Sequence, residues 1–377
     1  MFKSFNNKFL ENLKTFIKDK SFRKIFIITG KNSYFKSGAD IIFDKLLMEK
    51  KNLFYFKNSF YPEINELKKI ILKINLFKPD LVIAIGGGCV IDYSKIASVM
   101  NLSPNLSIQI KNSRYKIKKK NFKLLAIPTT AGSGAEVTSN AVLYIKKSKY
   151  SIEGDILKPD YFFLIPELIL GSSKNIKASA GFDAISQALE SLISLKSSSL
   201  SVKYAEESLK ISFKNFINYV QKPTINNTLK MSIAANLSGR AISISKTTAP
   251  HALSYPFTAY YNISHGHAVS LTLNQCLKFN FENIDYTQSN FDLKKRFNII
   301  FKLANVKNIF ELDKYLSHIK KKAGLESNFN KLGINIFKDY NRILSGVNSQ
   351  RLKNNPIRLE KNDLYEILIN KNDKKKI

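Results

Sequence analysis

Short apolar segments alternate with helical patterns through the first half of this chain, and few folds accommodate that alternation. The candidate strands are the segments 24–29, 53–56, 81–85 and 124–127. Strands that alternate with helices are typical of a parallel sheet covered by helices. From Ala178 onward, apolar residues recur every three or four positions, which predicts mostly helix. We therefore predict an α/β domain over residues 1–166 and an all-α domain over residues 167–377.

The composition is that of a folded globular protein with a large excess of basic side chains. Hydrophobic residues fill 44% of the 377 positions, with only 15 Gly and 10 Pro, which excludes disordered and collagen-like classes. The chain has 60 Lys and Arg but only 29 Asp and Glu, which gives a formal net charge of +31. This excess is mainly Lys and is spread over many segments, whereas nucleic-acid sites favour clustered Arg. We expect small anionic substrates as partners and no nucleic acid.

The sequence gives no indication of export or of membrane insertion. Its two cysteines, Cys89 and Cys276, are too few for a disulfide framework. The N-terminal residues lack the apolar run and the cleavage site of a signal peptide, and no apolar stretch reaches the length of a transmembrane helix. We expect a cytoplasmic protein.

Two glycine-rich segments, 86–88 and 128–134, each follow a predicted strand. Glycine allows backbone N–H groups to approach an anion closely, and the N-terminus of a following helix favours a pyrophosphate. Ligands of α/β sheets bind at this carboxyl end of the strands. One such turn is also explained by packing, but two predict a cofactor site. The candidate residues are Gly86, Gly87, Gly88, Thr129, Thr130 and Ser133.

A set of polar residues in the helical half offers metal ligands. His251, His265 and His267 lie close together in the sequence, and Asp183 and Gln187 are four positions apart in a helical pattern. Side chains at that spacing share one helix face. Asp183, Gln187, His251 and His265 supply oxygen and imidazole donors that suit Fe2+, Zn2+ or Mn2+. Each histidine considered alone is better explained by a structural role.

These ordered motifs resemble those of the iron-dependent (group III) alcohol dehydrogenases. The resemblance runs through Gly86-Gly87-Gly88 with Asp92 and Lys95, then 128–134, 180–184 and 251–266. It implies a dehydroquinate synthase-like fold, with an N-terminal dinucleotide-binding domain, a C-terminal helical domain and a metal in the cleft between them. It also implies NADPH or NADH, Fe2+ (or Zn2+ or Mn2+), and a homodimer.

The resemblance also implies roles for individual residues. The family's metal ligands are one Asp and three His, of which Asp183, His251 and His265 match three. Gln187 stands where most members have the remaining His, and its carbonyl is a poorer ligand than imidazole. Lys149 matches the lysine near the cofactor ribose. The implied cofactor contacts are Gly86, Gly87, Gly88, Asp92, Thr129, Thr130, Ser133 and Lys149.

Two residues are candidate proton sources. Tyr255 stands where many members carry another His near the reacting oxygen; its phenol either donates a proton or only packs the site wall. His267 either donates a proton or orients His265 and its loop. In the implied reaction the metal polarises the aldehyde, the nicotinamide supplies hydride, and the product oxygen is protonated through solvent, Tyr255 or His267.

Within the family, the segments 182–191, 246–256 and 263–269 resemble most the phosphonoacetaldehyde reductase branch. This resemblance implies reduction of phosphonoacetaldehyde to 2-hydroxyethylphosphonate, a reaction of phosphonate biosynthesis. A phosphonate needs fixed cations or donors near it. Lys246 and Arg240 precede His251 and are the candidate substrate-binding residues.

The end of the first strand bears on the choice of nicotinamide cofactor. NAD-preferring members carry an acidic residue there that holds the ribose 2′-OH. This chain reads Thr29-Gly30-Lys31-Asn32-Ser33, so no carboxylate repels a 2′-phosphate. We expect NADPH, with NADH as the alternative.

Two other functions remain open at this point. The first is a dehydrogenase of the same family that acts on another small aldehyde, such as lactaldehyde or a sugar-derived aldehyde. The second, motivated by Gln187 and Tyr255, is a binding protein without metal or catalysis. Substrate preference distinguishes the first from phosphonoacetaldehyde reduction, and metal content distinguishes the second.

Overall fold

The protein divides into two compact units. A computed structural model describes residues 9–19, 22–115, 117 and 119–369. Unit 1 runs to Thr130 and includes Gly134–Ser172 and Thr224–Ser232; unit 2 contains Ala131–Ser133, Ser173–Pro223 and the chain from Ile233 onward. The boundary between residues 166 and 167 stays a prediction. The expected absence of a signal peptide concerns residues 1–8, which lie outside the described residues.

Unit 1 is an α/β structure. Its elements in chain order are α1 (Phe9–Asp19), β1 (Lys24–Gly30), α2 (Lys31–Lys36), α3 (Ala39–Leu46), β2 (Lys51–Lys57), α4 (Ile64–Phe77), β3 (Leu81–Gly86), α5 (Gly88–Val99), α6 (Leu106–Lys111), β4 (Lys123–Pro128), β5 (Asn140–Ile145), β6 (Ser148–Glu153), β7 (Tyr161–Phe162) and α7 (Pro166–Leu170). The four predicted strands correspond to β1, β2, β3 and β4. The three later strands have no counterpart in the sequence prediction.

The main sheet is parallel, with strand order β2-β1-β3-β4-β7. The order reverses between β1 and β3, and in open α/β sheets such a reversal opens a crevice at the carboxyl ends of the strands. β5 and β6 form a separate antiparallel hairpin. The glycine turn that follows β3 therefore lies at the place where a sheet of this kind binds ligands.

Both faces of the sheet are buried, as expected for parallel strands. Alternate residues of a strand point to opposite faces. On β1, Phe26 and Ile28 join a core with α4 and α5, whereas Ile25 and Ile27 join a second core with α1 and α3. This burial on both faces explains why the central strands appear in the sequence as nearly continuous apolar runs.

A buried lysine fastens α5 to the segment that leads into the hairpin. Lys95 has 0% of its surface exposed. Its Nζ donates to Ala135 O at 3.0 Å, Thr138 Oγ1 at 2.7 Å and Asn140 O at 2.5 Å. A buried ammonium group is tolerated only when its protons are satisfied in this way. Lys95 thereby fixes the helix that begins at the glycine turn.

Unit 2 is helical, as predicted for the second half of the chain. Its core is α8, which packs against α9 and α12, while α11 packs against α12. No described helix has the length and hydrophobicity needed to cross a membrane. The helices are α8 (Lys174–Ile193), α9 (Ser199–Gln221), α10 (Ile225–Ser245, whose first residues belong to unit 1), α11 (Ala249–Tyr261), α12 (His265–Glu282), α13 (Leu293–Ala304), α14 (Ile309–Ala323), α15 (Ile336–Ser345), α16 (Ser349–Leu352) and α17 (Lys361–Leu368).

We predict that Lys95→Met lowers the free energy of unfolding by about 3 kcal/mol, because it removes the donor to three acceptors in a buried environment. Denaturant unfolding followed by circular dichroism measures the change. The matched control is Lys69→Met at an exposed position of α4, which should cost less than about 0.5 kcal/mol. Equal stability of the two variants would contradict the proposed fastening role.

Candidate functional site

Within unit 1, the glycine turn after β3 contacts Thr129 and Thr130, which lie at the start of the second glycine-rich segment. Gly87 is the N-cap of α5 in an extended conformation, and a Cβ atom at Gly86 would come within 2.5 Å of Val90 Cγ2. The Thr129 amide donates to Gly86 O at 3.1 Å, and Thr130 Oγ1 is 3.3 Å from the position of a Cβ at Gly87. The first turn is therefore a close backbone surface at a helix N-terminus, where an anion is favoured.

Two further predicted cofactor residues are associated with the β5–β6 hairpin. Asp92 is buried on α5 and accepts a hydrogen bond from the Val142 amide at 3.2 Å. Burial raises the pKa of Asp92 to about 6, although Lys95, the Val142 amide and Lys149 act to lower it. Lys149 is half-buried on β6. Asp92 thus joins α5 to the hairpin, and its contact with a cofactor stays a prediction.

Three predicted metal ligands come together in unit 2. Asp183 on α8, His251 on α11 and His265 at the start of α12 offer ligand atoms that all lie within 4.8 Å of one another. Asp183 and His251 are buried, and His265 is half-buried. Nε2 of His251 is 3.3 Å from Oδ1 of Asp183, and the two imidazole centroids are 5.3 Å apart.

A buried carboxylate fixes the orientation of His251. Glu190, with 0% of its surface exposed, contacts Nδ1 of His251 through Oε2. Its Oε1 accepts hydrogen bonds from Thr248 N at 2.8 Å, Thr248 Oγ1 at 3.0 Å and His251 N at 3.4 Å. A carboxylate at Nδ1 requires the proton there, which leaves the lone pair of His251 on Nε2, the nitrogen that faces Asp183.

His265 receives similar support from Ser254. The Ser254 hydroxyl donates to His251 O at 2.8 Å, and its oxygen lies 3.4 Å from Nδ1 of His265. Because the single hydroxyl proton goes to the carbonyl, Nδ1 of His265 is the donor in the second contact. The lone pair of His265 is then on Nε2, as a metal ligand requires.

A glycine allows α12 to approach α8 closely enough to bring His265 near Asp183. A Cβ atom at Gly266 would lie 2.0 Å from Ser179 O and 2.8 Å from Asp183 Cβ. Any side chain at this position would push the two helices apart. Gly266 therefore sets the separation between two of the three candidate ligands.

Gln187, also predicted as a ligand, lies one helical turn after Asp183. Its Nε2 donates to Asp183 Oδ2 at 3.2 Å and approaches Ser133 O at 3.5 Å, and its Oε1 accepts a hydrogen bond from Ser238 Oγ at 2.9 Å. The amide nitrogen, and not the carbonyl oxygen, therefore faces the Asp183 carboxylate. Ser133, predicted to line the cofactor path, contacts this amide through its carbonyl group.

The two candidate proton sources occupy different surroundings. Tyr255 is buried on α11 with its ring centroid 6.1 Å from that of His265. His267 contacts the Glu326 carbonyl oxygen through Nε2 at 2.7 Å, and its amide donates to Ser179 Oγ at 3.1 Å. Tyr255 lies beside a candidate ligand, whereas the His267 imidazole is engaged with the chain after α14. Proton donation by either residue stays a prediction.

The two candidate phosphonate contacts lie near the end of α10. Arg240 Nε donates to Asn236 Oδ1 at 2.9 Å, and the guanidinium group lies 5.8 Å from the centroid of the Tyr204 ring. Lys246 follows α10 with a left-handed backbone (φ 61°), two residues before Thr248, which binds Glu190. Arg240 thus has partners on its own helix and on α9, and neither residue belongs to the cluster of candidate ligands.

The ligand cluster fits a divalent cation. Burial opposes a charge on His251, but the Glu190 and Asp183 carboxylates outweigh this and raise its pKa to about 9. Within the described residues, Nε2 of His251 makes no hydrogen bond despite its burial. Carboxylates that favour a proton at this buried nitrogen also favour a metal cation in its place, and a donor set of one carboxylate and two imidazoles suits Fe2+ or Zn2+.

Sequence reasoning missed Glu190 as a site residue, together with Ser254 and Ser238. Glu190 is seven positions after Asp183, so the spacing places both on one face of α8. That helical spacing was available as a signal. The serines carry no comparable signal, because Ser238 reaches Gln187 from 51 residues away.

Family models identify the class of protein. Residues 4–166 match the model "Iron-containing alcohol dehydrogenase", and residues 177–371 match "Fe-containing alcohol dehydrogenase family, C-terminal". Together these matches cover most of the chain. The chain therefore belongs to the iron-containing alcohol dehydrogenase family, as the sequence motifs predicted.

Curated relatives are similar over part of their length. Phosphonoacetaldehyde reductase of Streptomyces viridochromogenes is 31% identical over 218 residues, 55% of this chain and 55% of that protein. 1-Propanol dehydrogenase PduQ of Citrobacter freundii is 32% identical over 222 residues, 58% of this chain and 56% of that protein. The chain thus matches a little over half the length of these relatives.

A solved structure extends the similarity to the whole fold. Sulfoacetaldehyde reductase from Bifidobacterium kashiwanohense, solved in complex with NAD+, has a TM-score of 0.83 and 24% identity, over 96% of this chain and 94% of that one. This likeness confirms the predicted fold class.

We predict that Glu190→Gln weakens Fe2+ binding about 10- to 100-fold, because an amide removes the charge that holds the Nδ1 proton of His251. Chelator competition after anaerobic Fe2+ loading measures the affinity. Glu207→Gln, at an exposed position of α9, is the matched control and should bind like the wild type. If Glu190→Gln retained wild-type affinity, the orienting role of Glu190 would be wrong.

Proposed function

We propose that this protein is a metal-dependent oxidoreductase that reduces a small aldehyde with NADPH or NADH. The observation that carries the proposal is the buried cluster of Asp183, His251 and His265, with His251 oriented by Glu190. Membership of the iron-containing alcohol dehydrogenase family supports Fe2+ as the metal.

Different residues of unit 2 have different roles in the proposed reduction. Asp183, His251 and His265 hold the metal, which when bound supplies a Lewis acid that polarises a carbonyl group. Glu190 and Ser254 keep the Nδ1 protons in place, so that both imidazoles present Nε2. Reduction adds a hydride to the carbonyl carbon and a proton to its oxygen. Tyr255, beside His265, holds that proton in our proposal, with His267 or solvent as the alternative source.

In this proposal the two glycine-rich segments, together with Asp92 and Lys149, bind the dinucleotide. The turn after β3 presents backbone amides at the N-terminus of α5, which suits a pyrophosphate. β1 ends at Gly30, and α2 begins at Lys31 without a carboxylate at the junction, which favours NADPH. The proposed contacts are Gly86, Gly87, Gly88, Asp92, Thr129, Thr130, Ser133 and Lys149.

The proposed substrate is phosphonoacetaldehyde, reduced to 2-hydroxyethylphosphonate in phosphonate biosynthesis. The support is the 31% identical phosphonoacetaldehyde reductase, together with the motifs around Gln187 and Tyr255. Lys246 and Arg240 are the proposed phosphonate contacts. The excess of Lys over the whole chain also favours a small anionic substrate.

A simple alcohol or aldehyde is the second candidate substrate. It is favoured by the 1-propanol dehydrogenase, which matches at 32% identity over a slightly longer segment. The contacts of Arg240 also favour this candidate, because its guanidinium group already interacts with Tyr204 and Asn236 and not with a phosphonate.

The homodimer, the cytoplasmic location and the domain boundary after residue 166 remain parts of the proposal.

We predict a kcat/KM for phosphonoacetaldehyde at least tenfold above the values for acetaldehyde, lactaldehyde and propanal. A phosphonate that gains one charge-assisted contact accounts for a preference of about this size. The measurement is anaerobic oxidation of NADPH and of NADH by the Fe2+-loaded protein. Equal or higher rates with the uncharged aldehydes would instead support the second candidate.

The variant Lys246→Met tests the phosphonate contact within the same assay. Its KM for phosphonoacetaldehyde should rise about tenfold while the acetaldehyde kinetics stay unchanged, because only the first substrate carries the anion. Arg240→Met is assayed in parallel to compare the two cations. A rise in KM for both aldehydes would indicate a structural role for Lys246.

We predict that His265→Ala abolishes aldehyde reduction and weakens metal retention. The reason is the loss of one imidazole from a cluster of three candidate ligands. Bound iron is measured by elemental analysis after desalting, and activity by NADPH oxidation. His318→Ala, at an exposed position of α14, is the control. An active His265→Ala variant would contradict the metal assignment.

A further inference from the structure

We propose that Gln187 is a positioning residue that anchors Asp183 through its amide nitrogen, and that Asp183, His251 and His265 alone supply the protein ligands of the metal. This inference rests on the proposed function and concerns the same site. It replaces the expectation that the Gln187 carbonyl completes the ligand set.

The hydrogen-bond partners of Gln187 determine which way its amide group faces. The Asp183 carboxylate and the Ser133 carbonyl group both accept hydrogen bonds, and both lie on the Nε2 side at 3.2 and 3.5 Å. With the amide reversed, its carbonyl oxygen would face these two acceptors. Ser238 accommodates either orientation, because its hydroxyl also reaches Ala235 O at 2.9 Å. The Asp183 and Ser133 contacts therefore decide the orientation.

In this orientation the two oxygens of the Asp183 carboxylate have different partners. Oδ2 accepts the hydrogen bond from Gln187, whereas Oδ1 lies 3.3 Å from Nε2 of His251. The amide thus holds the carboxylate with Oδ1 turned toward the imidazole. An anchored ligand is the usual effect of such an outer hydrogen bond at a metal site.

Ligation by Gln187 would require the amide to rotate within a buried site. Rotation would break its contacts with Asp183 and Ser133, whereas Ser238 would keep the Ala235 carbonyl as its acceptor. Buried polar groups that lose their partners are costly, and an amide oxygen is a weak ligand beside imidazole. The network therefore favours the anchoring role.

The resulting donor set is one carboxylate and two imidazoles. Sets of this composition with open positions are typical of non-haem Fe(II) centres. This chain would therefore hold its metal with one protein ligand fewer than the three His and one Asp of most family members. The consequence is a coordination number that does not depend on residue 187.

The test uses Co2+ in place of Fe2+, because Co2+ absorption in the visible range reports the number and kind of ligands. Wild type and Gln187→Leu are loaded with one equivalent, and affinity is measured by chelator competition. We expect Gln187→Leu to keep the wild-type spectrum and stoichiometry while its Kd rises about 10- to 100-fold, as for loss of an outer hydrogen bond. Gln109→Leu, at an exposed position of α6, is the control and should match the wild type.

A changed Co2+ spectrum in Gln187→Leu would overturn the inference while leaving the metal-dependent function intact. A wild-type protein that takes up no metal would overturn the proposed function itself. Should Gln187→Leu fail to fold, crystals of the Zn2+-loaded wild type decide the question. Gln187 Oε1 within about 2.2 Å of the ion would identify it as a ligand, and a clearly longer distance would support the anchoring role.

Discussion

The buried carboxylate of Glu190 is the constraint on which the organisation of unit 2 depends. A charge with no exposed surface is tolerated only when donors surround it, and Glu190 meets Thr248 N, Thr248 Oγ1 and two nitrogens of His251. Three of these four donors are two backbone amides and one hydroxyl group at the start of α11. The hydrogen bonds to the Glu190 carboxylate on α8 therefore fix the start of α11 and the orientation of the His251 imidazole.

α8 is the element that carries the site, because Asp183, Gln187 and Glu190 follow one face of this helix. Asp183 and Glu190 both contact His251 at the start of α11, whereas Gln187 contacts Ser133 and Ser238. The absence of a side chain at Gly266 then allows α12 to lie against α8. The three candidate ligands are thus positioned by packing and hydrogen bonds among protein groups, which is the kind of support that orients the ligands of a metal site.

Sequence patterns predicted the main architecture because it follows from local periodicity. The apolar runs that became β1, β3 and β4 are buried on both sheet faces, so their pattern was strong. The hairpin β5–β6 was missed because its second strand, Ser148–Glu153, is polar and only half-buried, and β7 because it has only two residues. The segment Ala131–Ser133, which groups with unit 2, shows that a domain division can depend on contacts distant in sequence.

The role of Gln187 shows where sequence reasoning reaches its limit. The four-residue spacing from Asp183 correctly places both side chains on one face, but it does not distinguish an amide that ligates from an amide that donates. That distinction depends on Ser133 and Ser238, which are 54 and 51 residues away along the chain. In a family whose members mostly carry His at this position, the substitution exchanges a nitrogen ligand for a hydrogen-bond donor. In our proposal residue 187 therefore acts on the metal through Asp183, whose Oδ2 it contacts while Oδ1 faces His251.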